Sequence, residues 1–195
     1  MRFSHRRSLS LAGLSALLAA ALAAQETVVQ FDPVKTQVTF TLADVLHTVH
    51  GEFKLQRGEI RFDASTGVAS GSIVVDATSG NSGSNARDSR MHKNILESKK
   101  YPEITFTARH VKGQLPASGD AQIEVEGTFH IHGADHPLTL VAKVKNGANL
   151  DVQTHFQVPY VQWGMKNPST FLLRVGDTAD IDIHGIAHVQ GPAGS

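Results

Sequence analysis

Cysteine is absent from this chain of 195 residues. Its absence excludes a lipidated N-terminal cysteine, a disulfide framework, a thiolate nucleophile and Cys-ligated zinc. A chain without thiols also tolerates an oxidising compartment without mispairing. An excess of either charge is lacking too, since 18 Lys and Arg face 18 Asp and Glu. With no basic stripe, neither nucleic-acid binding nor electrostatic docking on anionic lipid is expected. The phosphate loop G-x-x-x-x-G-K, the G-x-S-x-G elbow and H-E-x-x-H are all missing. Long apolar runs are missing as well, save one.

That run extends from Leu9 to Leu22, almost wholly Leu and Ala, behind the basic residues Arg2, His5, Arg6 and Arg7. Ala21 and Ala23 supply a small-residue cleavage site. Residues 1–23 therefore read as a cleaved secretory signal peptide, and 24–195 as the mature domain. The run of about 14 residues is shorter than the roughly 20 that a bilayer-spanning helix needs. Losing Arg2, Arg6 and Arg7 leaves 15 basic against 18 acidic residues, a charge of about −3. A periplasmic or secreted single domain with a sizeable core is expected.

What the chain has in abundance is alternation. Val38, Phe40 and Leu42 alternate with polar neighbours, and so do Phe53 and Leu55, Ile60 and Phe62, and Ile73 and Val75. The pattern resumes at Ile104, Phe106 and Ala108, then at Val125, Phe129 and Ile131, and at Leu138, Leu140 and Ala142. Val152, Phe156 and Val158 follow, then Ile181, Ile183 and Ala187. Period two means one buried and one wet face, the mark of antiparallel sheet. Gly, Asn, Asp and Pro predict turns at Gln56–Gly58, Ala64–Gly67, Gly133–Pro137 and Asn146–Gly147. About nine strands at this spacing make an all-β barrel or sandwich.

One segment departs from the pattern. Ser79–Ser84 reads as a flexible loop, and Asn85-Ala86-Arg87-Asp88 as a helix start with Asn85 as its cap. Met91, Ile95 and Leu96 form an apolar stripe, Lys99 and Lys100 suit the helix C-terminus, and Pro102 ends it. This single short helix is expected to lie across a barrel opening.

Candidate chemistry is sparse. His130 and His132 form an H-x-H that a zinc site can use, with His136 nearby. The odd parity of Phe129 and Ile131 turns His130 and His132 outward, however, so no metal site is assigned. Asp88 and His92, four apart, suit a helix-stabilising pair better than a general base, because no nucleophile accompanies them. No catalytic residue and no cofactor are assigned.

The inward parity instead offers apolar bulk. Phe40, Phe53, Phe62, Phe106, Phe129 and Phe156 share it, together with Ile73, Ile181 and Ile183. Eight strands enclose an interior that side chains just fill, or that holds one small ligand. A final strand Thr178–Gln190 predicts a barrel about 30 Å tall, which suits a long hydrocarbon chain. Trp163 and Met165 either wall such a ligand or pack under a loop.

Arg87-Asp88-Ser89-Arg90-Met91-His92, with Leu96-Glu97-Ser98 and Tyr101-Pro102-Glu103-Ile104-Thr105-Phe106, resembles the central block of the YceI-like family. Phe31-Asp32-Pro33, Val49-His50-Gly51-Glu52-Phe53, Gly127–Gly133 and His136-Pro137-Leu138 fit the same family. Lys35-Thr36, Asp44-Val45-Leu46 and Gln162–Pro168 depart from its pattern. The resemblance implies an elongated, lipocalin-like antiparallel β-barrel, usually exported, that binds polyisoprenoid or other long amphiphilic lipids, in some members with a role in stress responses. It also implies that Arg87, Asp88 and His92 lie near the pocket, and that Phe40, Phe53, Met91, Phe106 and Phe129 line it.

The expected function is non-catalytic binding, storage or transport of one long-chain lipid. Phe40, Phe53, Ile73, Arg87, Asp88, Met91, His92, Ile95, Phe106, Phe129, Phe156, Trp163, Met165, Ile181 and Ile183 are its expected ligand-binding residues. A tail of roughly 30–40 carbons at about 0.3 kcal/mol per atom gives about 9–12 kcal/mol, in the micromolar-to-nanomolar range. Two alternatives stand beside it: a module presenting His130 and His132 to a membrane-protein partner, and a lipid-modifying enzyme using Asp88 and His92. Homodimerisation is left open.

Overall fold

The computed structural model describes residues 26–43, 48–170 and 174–191. The signal-peptide segment and Asp44-Val45-Leu46 lie outside them. Nine strands are present: β1 (Glu26–Phe31), β2 (Gln37–Ala43), β3 (Thr48–Asp63), β4 (Ala69–Asn81), β5 (Glu103–Lys112), β6 (Gly119–Ile131), β7 (Ala134–Asn146), β8 (Leu150–Val158) and β9 (Ala179–Gln190). Every pairing is antiparallel, and the β3–β4 pair closes the sheet into a barrel. β1 and β2 share one place in the wall, because each pairs with β3 on one side and β9 on the other. The result is an eight-position barrel, the lipocalin-like fold expected.

A single helical turn separates β1 from β2. Pro33 has no N–H to lose there, and Asp32 accepts the Val34 and Lys35 amides at 2.9 and 3.2 Å. Those backbone donors, the Val34 amide foremost, hold the Asp32 carboxyl below its ordinary range.

Two expected turns are not turns. Gln56–Gly58 lies inside β3, where the ladder slips between Leu55 and Arg57. That bulge is why the inward parity changes from odd at Leu55 to even at Ile60. Asp135, His136 and Pro137 lie inside β7, and the hairpin turns on two residues alone, His132 and Gly133. Both have positive φ, 52° and 77°, as a two-residue hairpin matching the twist of the sheet demands. The loop predicted from Ser79 begins later, since β4 runs to Asn81.

The ladder between β7 and β8 stops at Ala142 and Thr154. The first half of β7 therefore bonds only to β6, and the second half of β8 only to β9. Pro137, which lacks an N–H, sits on this unpaired edge, where proline is tolerated.

After β8 the chain turns back over the same end of the barrel. The Met165 amide donates to the Tyr160 carbonyl at 3.0 Å, and the Tyr160 hydroxyl donates to the Gly176 carbonyl at 2.5 Å. Tyr160 is buried. Burial first, then the Asp177 charge, push its hydroxyl up to about 12. Tyr160→Phe is expected to cost about 1–1.5 kcal/mol and to lower the melting temperature by a few degrees. A raised acid pKa stabilises the fold fully below about pH 10, the unfolded value, and that stabilisation fades as pH rises towards 12. The gap in melting temperature between the native chain and Tyr160→Phe should therefore narrow across that window.

Candidate functional site

The barrel interior is divided into a filled half and an open half. Val29, Phe31, Ile60, Phe62, Val111, Val125, Val144 and Leu150 are among the buried side chains that close one end. Phe31 fills space left by Gly58 and Gly185, and the Phe106 ring lies against Gly127. At the other end lies a cavity of about 470 Å³. It is walled by inward positions of β2 (Val38, Phe40, Leu42), β9 (Ala179, Ile181, Ile183) and facing residues on β3, β6 and β8. From Val38 to Leu42 at about 3.3 Å per residue, its depth is about 13 Å. A barrel hollow along its full height, as its predicted length suggested, is not what forms.

Glycines opposite the aromatic residues keep this end open. A Cβ on Gly51, the register partner of Phe40, would lie 2.3 Å from the Phe40 ring. One on Gly80 would lie 2.6 Å from the Phe53 ring and 2.7 Å from the Met91 methyl. The rings thus lie back on bare backbone instead of projecting across the lumen. Phe40 and Phe53 meet at 5.4 Å between centroids.

The mouth is crossed by helix α1 (Asn85–Arg90), which continues as a π-helical turn over Met91–Ile95. Ser84, not Asn85, precedes the helix as its cap position, and its side chain makes no capping bond. Asp88 serves the helix start differently. Its carboxylate accepts the Ser82 amide at 2.9 Å and the Ser82 hydroxyl. Arg87 clasps the same residue, donating from Nε to Ser82 Oγ at 2.8 Å and from Nη2 to the Ser82 carbonyl at 2.7 Å. His92 binds elsewhere. Its Nε2 donates to the Gly80 carbonyl at 2.9 Å, which leaves Nδ1 to accept the Ser98 hydroxyl at 3.0 Å. The expected Asp88–His92 pair does not form, because each side chain faces a different strand or loop.

Of the expected ligand-binding residues, Phe40, Phe53, Arg87, Met91 and Ile95 line the cavity, as do Phe129, Phe156, Met165, Ile181 and Ile183. Ile73, Asp88, His92, Phe106 and Trp163 do not. Ile73 and Phe106 pair one layer below Val75 and Ile104, beneath the floor. Asp88 and His92 fasten the helix. Trp163 stacks on His136 at 4.0 Å and 8°, and its ring lies 5.8 Å from Phe129. It thus lies against the unpaired first half of β7.

The three histidines of the H-x-H region part company. His130 Nδ1 meets Asp135 at 2.6 Å on the outer face, and His132 Nε2 meets Glu97 at 3.0 Å. His136 faces inward, opposite Phe129, with its Nε2 buried and without a hydrogen-bond partner among the described residues. The His132–Glu97 pair, with the Tyr101 ring 4.8 Å from the imidazole, ties the β6–β7 turn to the segment after the helix. Among the described residues, no group of three or more His, Cys, Asp or Glu side chains is placed to hold a metal.

Sequence reading missed Arg90, Leu96, Tyr160, Pro168 and Val175, which also line the cavity. The loop residues carry no periodicity to follow. Arg90 was within reach, three positions from Arg87 on the same helix.

Gly51→Ala is expected to drive the Phe40 ring into the cavity and to destabilise the fold by about 1–3 kcal/mol, the usual penalty of overpacking. Thermal melts and a titration with an apolar fluorescent probe would read both effects, and the variant should bind less probe per molecule.

A family model described as a YceI-like domain matches residues 30–187. A UPF0312 protein of Vibrio parahaemolyticus is 26% identical over 149 residues, covering 74% of this chain and 77% of that protein. A UPF0312 protein of Pseudomonas putida is 32% identical over 106 residues, covering 53% and 52%. A solved polyisoprenoid-binding domain from Saccharophagus degradans, implicated in plant cell wall breakdown, is similar at a TM-score of 0.66 and 17% identity, covering 83% of this chain and 98% of that one. Burkholderia cenocepacia BcnA is similar at 0.64 and 19%, covering 80% and 98%. At such identities the structural likeness speaks for the fold. The family model, in contrast, spans all the pairings that build the cavity wall from β2 to β9, and on that match the chain belongs to the YceI-like family.

Proposed function

We propose that this protein is a periplasmic or secreted carrier that holds one long-chain isoprenoid or similar amphiphilic lipid, and that it stores or transports its cargo without changing it. The observation that carries this reading is the cavity itself. It is open at one end, walled on its inner reaches by apolar side chains alone, and within the roughly 300–1,000 Å³ of ordinary ligand pockets. Burial of a hydrocarbon tail there is driven by desolvation and needs few polar contacts. The Saccharophagus domain of the same fold binds a polyisoprenoid, which supports extending that ligand class to this chain. A depth of about 13 Å receives part of a long tail, so the rest would follow the mouth outward.

Binding is favoured over catalysis by the employment of Asp88 and His92. Both sit at the mouth, and both direct their polar atoms to Ser82, Gly80 and Ser98, fixing the helix in place. A role in stress responses belongs to the same proposal; a module that presents its wet face to a membrane-protein partner is the alternative to it.

Native mass spectrometry of the protein purified from its own cells, followed by organic extraction, should recover one lipid per barrel. Recovery of empty protein from every preparation, with no uptake of added isoprenoid, would overturn the carrier reading.

A further inference from the structure

The cavity wall carries two charges, and both are positive. Among the described residues lining it, Arg87 and Arg90 are the only ionisable side chains apart from the Tyr160 phenol, and no carboxylate faces the space. The two arginines differ in employment. Arg87 is committed to Ser82 through two hydrogen bonds. Arg90, one helical turn further on and exposed, has no hydrogen-bond or ion-pair partner among the described residues. Ser82 and Ser84 bring hydroxyls to the same rim.

Resting on the carrier reading, we infer that the cargo bears an anionic head, a phosphate ester or a free carboxylate, and that Arg90 receives it at the mouth. A guanidinium presents a planar fork of donors that matches such a group bidentately. Its position at the end of an apolar shaft sorts ligands into two parts: the tail enters, and the charged head stays at the rim where water still reaches it. The arginine stem also covers apolar surface, a duty that any long side chain would perform. The test must therefore separate charge from bulk.

Farnesyl phosphate and farnesol share one tail and differ at the head, and the fluorescence of the single tryptophan, Trp163, reports on the adjoining wall. Farnesyl phosphate should bind about tenfold more tightly than farnesol, and added salt should erode only the phosphate's advantage. Arg90→Gln should abolish the preference by lowering farnesyl phosphate affinity about tenfold, with any change in farnesol affinity, which reads the shorter stem, well below that, and Arg90→Lys should retain part of the preference. Inorganic phosphate at millimolar concentration should neither bind nor displace farnesol. Equal binding of the two ligands by the native chain would overturn the inference and leave the carrier reading intact. A preference that survives Arg90→Gln, or tight binding of inorganic phosphate, would overturn it also. Binding of neither lipid would overturn the carrier reading itself.

Discussion

An apolar space left open inside a protein forfeits the dispersion contacts that would otherwise fill it, so it persists only where the surrounding wall cannot collapse. Here the wall is held by the filled half of the same barrel. Phe31, Phe62, Val125, Leu150 and their neighbours lock the strands in register at one end. The hydrogen-bonded ladders carry that register upward to where the side chains no longer meet. Closure matters as much as packing, since the β3–β4 pair joins the two ends of the sheet and so fixes the girth of the wall. The open half is thus a structural dependant of the closed one.

Polar residues of the central block take their meaning from this arrangement. A helix lying across an apolar opening has little to bury on its outer side and must be tied down by other means. Arg87, Asp88 and His92 do so by bonding to the end of β4 and the loops on either side of the helix. The pair of left-handed residues, His132 and Glu97, adds a further tie from the β6–β7 turn. Groups that resemble acid–base machinery in one dimension are fasteners in three.

Much of the architecture was legible because period two is a local property. The inward faces of β2, β6, β8 and β9 can be assigned from Phe40, Phe129, Phe156 and Ile181 without knowing their partners. Parity states which face a residue occupies, however, and not at what height along the barrel. Phe106 and Phe40 share the inward side, yet one lies beneath the floor and the other walls the cavity. The direction in which a ring lies depends on the residue across the strand, as with Gly51 opposite Phe40, and cross-strand register is not written in either strand alone. The bulge in β3 was visible as a change of parity between Leu55 and Ile60, but the glycine beside it resembled a turn. At the β6–β7 hairpin the cluster Gly133–Pro137 misled for a related reason. A two-residue turn consumes only its first member, and the edge strand tolerates the proline.

The interrupted ladder between β7 and β8 gives the wall one direction of compliance. Prising those strands apart beyond Ala142 and Thr154 ruptures no ladder pair between them, whereas spreading β6 from β7 or β8 from β9 must break a paired ladder. The stacked rings of His136 and Trp163 resist, as does the Thr154 hydroxyl, which donates to the Val141 carbonyl at 2.9 Å. An outward push from within can therefore spread the stave work along this slit, displacing the indole as it opens.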